Sequence, residues 1–120
     1  MKLRGFLIVV KDCNKALKYY HDLFGLEMLA DNGGNMMLSN GLVLQEEKYW
    51  LDFIGKAVLP KNNACELYFE DEDPDAFFEK VKKLYPETEP VTPPMTHRWG
   101  QRVVRFYDPD GNLIEVGTPM

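Results

Sequence analysis

Two hydrophobic periods alternate along this chain, and the alternation occurs twice. The stretch "GFLIVVKDCNKALKYYHDL" opens with an apolar run and passes through Asp12. It continues with Ala16, Leu17, Tyr20, Leu23 and Phe24 at helical spacing. Asp12 is a natural N-cap and Gly25 a natural stop. The stretch "ELYFEDEDPDAFFEKVKKL" repeats the plan. A strand ends near Glu70, Asp73 caps, and Pro74 takes the first helical position. Phe77, Phe78, Val81 and Leu84 then form the apolar stripe. Further along, "NGLVLQ" at 40–45 matches "DGNLIE" at 110–115, each a turn that enters a strand.

Each half therefore reads as strand, helix and three strands. The later strands are predicted at about 26–30, 34–38 and 42–47, and again at about 89–94, 102–108 and 112–117. The prediction is an α+β fold of two βαβββ modules in a single domain over 1–120. Module 1 covers about 1–47, a linker 48–63, and module 2 about 64–120. The linker holds a short helical turn at Tyr49–Ile54. Each sheet has one helix to cover it, which leaves its other face free. Two such modules side by side are expected to make a curved mixed sheet with a concave groove.

Strand alternation assigns side chains to that groove. With Ile114 and Val116 packed under the helices, Glu115 faces the groove. The same parity sends Glu66, Tyr68 and Glu70 there, with Val43, Gln45, Gly5, Leu7 and Val9. Leu67, Phe69, Leu42, Leu44, Phe6, Ile8 and Val10 go to the covered face. Counting through the repeat makes Gly5, Gln45, Glu66 and Glu115 equivalent groove positions. Three of these carry oxygen donors suited to a divalent cation.

Composition narrows the classes. The chain has 120 residues, 45% of them hydrophobic, and a net charge of -5. This suits a soluble globular domain and disfavours nucleic acid and anionic membranes as partners. The opening apolar run is too short for a signal peptide or a membrane span. Two cysteines, Cys13 and Cys65, without a CxxC motif fit reduced thiols in the cytoplasm.

The stretch "RFYDPDGNLIEVG" has calcium-loop residues in Asp108, Asp110 and Asn112. Yet Leu113 and Pro119 stand where an EF-hand loop needs glycine and a bidentate glutamate. Pro109 and Gly111 instead predict a hairpin turn. The segment "THRWGQR" at 96–102 should rim the groove. There Trp99 offers an aromatic face, and His97 and Arg102 can grip a polar group. A dimer contact or loop packing would account for Trp99 equally well. Glu66 and Glu115 are candidates for metal ligation or for a general base. The alternative is a polar floor in which they pair with Arg102, Arg105 or a lysine.

The paired strand-Asp-helix units, "KYYHDLFGLEML" and the closing "RFYDPDGNLIEV" resemble the glyoxalase/bleomycin-resistance/extradiol-dioxygenase group, the vicinal-oxygen-chelate superfamily. The resemblance implies a homodimer of two-module chains. It also implies a divalent metal (Zn, Ni, Mn or Fe) on one residue from each of four strands, with a small organic molecule in the groove. Carried over, the metal positions are Gln45, Glu66 and Glu115, with Gly5 departing from the pattern. Glu115 and Glu66 would be catalytic, and Tyr68, His97, Trp99 and Arg102 would bind substrate. The implied activities are a metal-dependent, lactoylglutathione-lyase-like lyase or isomerase, or a non-enzymatic drug-sequestering protein of the bleomycin-resistance type. The dioxygenase branch fits less well, because neither His21 nor His97 falls on those strand positions.

Overall fold

The computed structural model describes all residues, Met1–Met120. The chain divides into two compact units, Met1–Leu59 and Pro60–Met120. The first contains β1 (Phe6–Val10), α1 (Cys13–Phe24), β2 (Met28–Asp31), β3 (Asn35–Leu38), β4 (Leu42–Glu46) and α2 (Glu47–Ile54). The second contains β5 (Leu67–Glu70), α3 (Pro74–Leu84), β6 (Pro90–Thr96), β7 (Arg102–Tyr107) and β8 (Leu113–Gly117). Their sheets share one topology, β1-β4-β3-β2 and β5-β8-β7-β6. In each, the first pair is parallel and the others antiparallel.

The capping residues do what their chemistry suggests. The Asp12 carboxylate accepts from the backbone N–H groups of Asn14 and Lys15, and that of Asp73 from Ala76. Gly25 closes α1 in the left-handed region at φ 69°. Ile8, Val10, Leu42 and Leu44 are buried in the first unit with Tyr19, Tyr20 and Leu23 of α1. In the second unit, Val104, Phe106, Ile114 and Val116 are buried with Phe78 and Val81 of α3. The Phe78 and Phe106 rings lie 5.5 Å apart.

Some details differ from expectation. The linker turn is a full helix, α2, that follows β4 directly and belongs to the first unit. Phe6, expected on the covered face, is 43% exposed. It is the first residue of an edge strand, where less of the sheet and helix reaches it. The extra residues of the second half lie in β6, which is longer than β2, and in its flanking connections. β6 carries Pro90, Pro93 and Pro94, and its pairing with β7 shifts register twice. Prolines without a ladder donor are tolerated there because β6 is an edge strand. Cys13 and Cys65 are free thiols, the first buried and the second exposed. No helix is long and apolar enough to cross a membrane.

The "DPDGN" segment forms the β7–β8 hairpin. Asp108 is buried, and its Oδ1 accepts from the backbone N–H groups of Asp110 and Asn112. Its Oδ2 accepts from Asn112 Nδ2. This carboxylate holds the turn, and Gly111 supplies the positive φ of 85°.

The repeat holds about the hairpins but slips elsewhere. Gln45 pairs with Asn35 across β3–β4, and Glu115 with Arg105 across β7–β8, on equivalent rungs. Across the parallel pairs, however, Gln45 aligns with Val9, three residues before the cap Asp12. Glu115 aligns with Tyr68, five before the cap Asp73. Counted from the caps, the two positions are therefore offset by two residues, about 7 Å along a strand. They share a face parity but not a full equivalence.

Candidate functional site

The sheet of the second unit has one face under α3 and one face of mixed polarity. Register settles which side chains share the latter: Tyr68 and Glu70 of β5, Glu115 and Gly117 of β8, and Val103 and Arg105 of β7. Thr92 and Met95 of β6 align with Arg105 and Val103. Glu66, one residue before β5, joins them through its side chain.

Arg105 organises this face. Its Nε donates to Glu66 Oε1 at 3.1 Å, and its Nη2 donates to Glu115 Oε1. Glu115 is only 6% exposed. Burial pushes its carboxyl above the usual range, and the neighbouring Glu66 pushes it further, while Arg105 opposes both. One guanidinium thus serves two carboxylates, which is the polar-floor arrangement. Thr92 Oγ1, on the strand beside Arg105, is buried with no hydrogen-bond partner. A buried polar atom of this kind marks a place where water or a ligand group can bind.

Tyr68, Trp99 and His97 lie in a second cluster on the same unit. The Tyr68 hydroxyl donates to Glu70 Oε2 at 3.1 Å and accepts from Gln101 Nε2 at 2.7 Å. The β6–β7 connection, residues 97–101, is closed by two backbone bonds, His97 N–H to Gln101 O and Gly100 N–H to His97 O. It presents Trp99 at 60% exposure, with the His97 ring stacked on it at 4.2 Å. Glu70 and Tyr68 carry the cluster toward the carboxylates of the floor. The hydroxyl proton of Tyr68 is held more tightly than usual, first through burial and then through its bond to Glu70.

Arg102 goes elsewhere. It shares parity with Val104 and Phe106 and so lies on the α3 side of the sheet. There its Nε and Nη2 bind both oxygens of Asp75, each at 2.9 Å. The guanidinium beside Asp75 holds that carboxyl below the usual range. Gln101, which sequence reasoning passed over, joins Trp99 to Tyr68 in its place. Its only local signal is its parity with Val103 and Arg105.

In the first unit, Gln45 is 3% exposed and fully engaged. Its Oε1 accepts from Asn35 Nδ2 at 2.9 Å, and its Nε2 donates to the Gly34 and Glu46 carbonyls. A Cβ placed on Gly5 would come within 2.6 Å of the Gly41 carbonyl oxygen. No side chain can reach out from that position without moving backbone. The donor set for a divalent metal is therefore occupied or missing. Gln45 is bonded within its own sheet, Glu66 and Glu115 neutralise Arg105, and Gly5 has neither a donor nor room for one. No group of three or more His, Cys, Asp or Glu is arranged to hold a metal ion. As they stand, these residues do not fit one.

The sequence matches a family model described as a glyoxalase-like domain over residues 3–120. No protein with a curated description matches it significantly. Among solved structures, a protein of unknown function from Agrobacterium tumefaciens str. C58 is 32% identical, with a TM-score of 0.80. The match covers 100% of this chain and 95% of that one. A member of the glyoxalase/bleomycin resistance protein/dioxygenase superfamily from Sphaerobacter thermophilus DSM 20745 is 22% identical over 99% and 98% of the two chains, with a TM-score of 0.70. A lactoylglutathione lyase from Agrobacterium tumefaciens is 21% identical over 98% and 92%, with a TM-score of 0.73. At those lower identities the likeness is one of fold. With its repeated βαβββ topology and a family match over nearly its whole length, the chain belongs to the glyoxalase-like domain family.

Proposed function

We propose that this protein binds a small, planar, cationic organic molecule at the exposed Trp99 and Tyr68 edge of the second module's sheet face opposite α3, without a resident metal. The observation that carries this reading is Arg105, which occupies both carboxylates that a metal would need. Glu66, Glu70 and Glu115 outnumber Arg105 on the sheet face, and with exposed Arg98 of the loop counted the carboxylates still exceed the guanidinium groups by one, so the local field favours a cation. Trp99 supplies an exposed aromatic surface, to which flat cations are attracted through the ring quadrupole. Tyr68, His97 and Thr92 add polar edges that can orient the ligand. The role resembles that of a sequestering protein more than that of a metalloenzyme.

A second reading, a lyase or isomerase like the structural neighbour named lactoylglutathione lyase, is favoured by one feature. The Glu115 carboxyl lies above the ordinary range in a buried position, which suits a group that takes and returns a proton. That chemistry would require Arg105 to leave Glu115.

Metal retention separates the two. The protein is loaded separately with Zn²⁺, Ni²⁺, Mn²⁺ and Fe²⁺, desalted, and its metal content measured beside Glu66→Gln and Glu115→Gln. The binder reading expects no stoichiometric retention in any of the three proteins. One equivalent in the wild type, lost in both variants, overturns it in favour of the enzyme.

A further inference from the structure

We infer that Gln101 is a positioning residue that sets the orientation of the Trp99 ring and the direction of the Tyr68 hydroxyl, and so fixes how a planar ligand is received. The inference rests on the reading that this face binds such a ligand.

Gln101 is 7% exposed, and both polar atoms of its side chain have partners. Its Oε1 accepts from Trp99 Nε1 at 3.2 Å. Its Nε2 donates to the Thr118 carbonyl at 3.0 Å and to the Tyr68 hydroxyl at 2.7 Å. Two of these partners fix which way the amide points. An indole N–H can only donate, so it must meet the oxygen, and a carbonyl can only accept, so it must meet the nitrogen. Tyr68 therefore has to accept from Gln101, which directs its own proton to Glu70. The result is one directed chain from Trp99 through Gln101 and Tyr68 to the Glu70 carboxylate. Such chains are stiffer than separate bonds, because each polarises the next.

The fold makes space for this amide. Gly117 lies opposite Val103 in the β7–β8 ladder. A Cβ on Gly117 would come within 2.6 Å of Gln101 Nε2 and 3.2 Å of Val103 Cγ1. The backbone of Gln101 also closes the loop that carries Trp99, by accepting from His97 N–H at 2.8 Å. His97 then stacks on the indole with the planes 19° apart. Trp99 is thus held at its nitrogen and backed on its ring while remaining exposed. A flat cation meets a surface already oriented, which reduces the ordering cost of binding.

The test uses Trp50→Phe as the background, so that Trp99 is the only tryptophan. Gln101→Met keeps the length of the side chain and removes its hydrogen bonds, and Gly117→Ala pushes the amide without deleting it. The first readout needs no ligand: the indole N–H signal of Trp99 by NMR and its fluorescence anisotropy decay. Both variants should shift that signal, speed its exchange with solvent and add fast local motion. The second readout is saturable quenching of Trp99 by methyl viologen, a planar dication, with thermal unfolding measured alongside. Its binding constant should weaken about fivefold in Gln101→Met, the equivalent of one lost hydrogen bond. If folded variants keep the wild-type indole signal, anisotropy and quenching, Gln101 positions nothing and the inference fails. If the indole responds to the variants but methyl viologen gives no saturable quenching even in the background protein, the positioning role stands and the cationic-ligand reading fails.

Discussion

The two modules share one topology and an equivalent hairpin rung, yet they fill that rung with different chemistry. In the first, Asn35 and Gln45 face each other and exchange a neutral amide hydrogen bond. In the second, Arg105 and Glu115 face each other as an ion pair, and Glu66 adds a second carboxylate. The neutral rung closes on itself, since Gln45 uses its remaining donors on the Gly34 and Glu46 carbonyls. The charged rung adjoins an unpartnered Thr92 hydroxyl and unites two groups with a single cation. The difference teaches that the same hairpin rung can be a structural clasp in one repeat and a candidate binding floor in the other. Side-chain charge decides which.

Removing the cation should have the largest effect. Arg105→Ala leaves a buried Glu115 beside Glu66 with no counter-charge, a loss of about 3 kcal/mol. Asn35→Ala removes one neutral donor from Gln45 and should cost about 1 kcal/mol. Urea unfolding of both variants measures the contrast, and equal losses would erase the distinction between the rungs. Arg105→Ala also frees two carboxylates, so Ni²⁺ or Zn²⁺ should raise its Tm while leaving that of the wild type unchanged.

The next largest effect concerns the first strand of each module. Gly5 and Glu66 each stand seven residues before a helix cap. At Gly5 even a methyl group meets the Gly41 carbonyl oxygen, whereas Glu66 reaches Arg105 freely. Gly5→Ala should therefore cost about 2 kcal/mol through a forced backbone shift. Glu66→Ala should cost less, because its side chain is partly exposed and Arg105 keeps Glu115. Thermal unfolding of the two variants tests the ranking, and a neutral Gly5→Ala would reopen that position to a ligating side chain.

Much of this fold was legible because its signals are local. Capping by Asp12 and Asp73, the stop at Gly25 and the hairpin at "DPDGN" follow from residue chemistry within a few positions. Alternation also placed Glu115, Glu66 and Tyr68 on one face. The place of "THRWGQR" before a strand assigns Arg102 no face, whereas the parity of β7 sends it with Val104 and Phe106 toward α3. The two-residue slip between Gln45 and Glu115 was hidden, because a turn motif aligns hairpins and carries no information on how a parallel neighbour is registered. The choice of Arg105 as shared partner, and of Gln101 as the link between Trp99 and Tyr68, depends on tertiary proximity that no spacing rule encodes.

The pH response compares the two faces of the second sheet. Glu115 has its folded-state pKa raised by burial first and by Glu66 next. Just above the ordinary glutamate range the folded state therefore holds this proton more tightly than the unfolded chain does. Its contribution to stability grows as pH falls through the raised value and is absent well above it. On the other face Asp75 has its pKa lowered by Arg102, so its contribution is present above the ordinary aspartate value and is lost as pH falls through the depressed one. Tm measured from roughly pH 3 to 7 should reveal the two opposite slopes. Glu115→Gln should flatten the upper one and Asp75→Asn the lower. An upper slope unchanged in Glu115→Gln would assign it to another group.

The smallest expected difference lies in the helix caps, where the modules are nearly alike. Asp12 satisfies two backbone donors, those of Asn14 and Lys15, at 2.9 and 3.1 Å. Asp73 satisfies one, that of Ala76, at 3.0 Å, and Pro74 behind it has no N–H to satisfy. Asp12→Ala should therefore cost about 1 kcal/mol, and Asp73→Ala somewhat less. Proline also fixes φ at the first position of α3, so part of the start of that helix survives loss of its cap. Adding Pro74→Ala to Asp73→Ala should then raise the loss toward that of Asp12→Ala, as read by urea midpoints at constant slope. If Pro74→Ala adds nothing, the two helices begin by the same means, and the repeat is closer to a true copy at its caps than at its rungs.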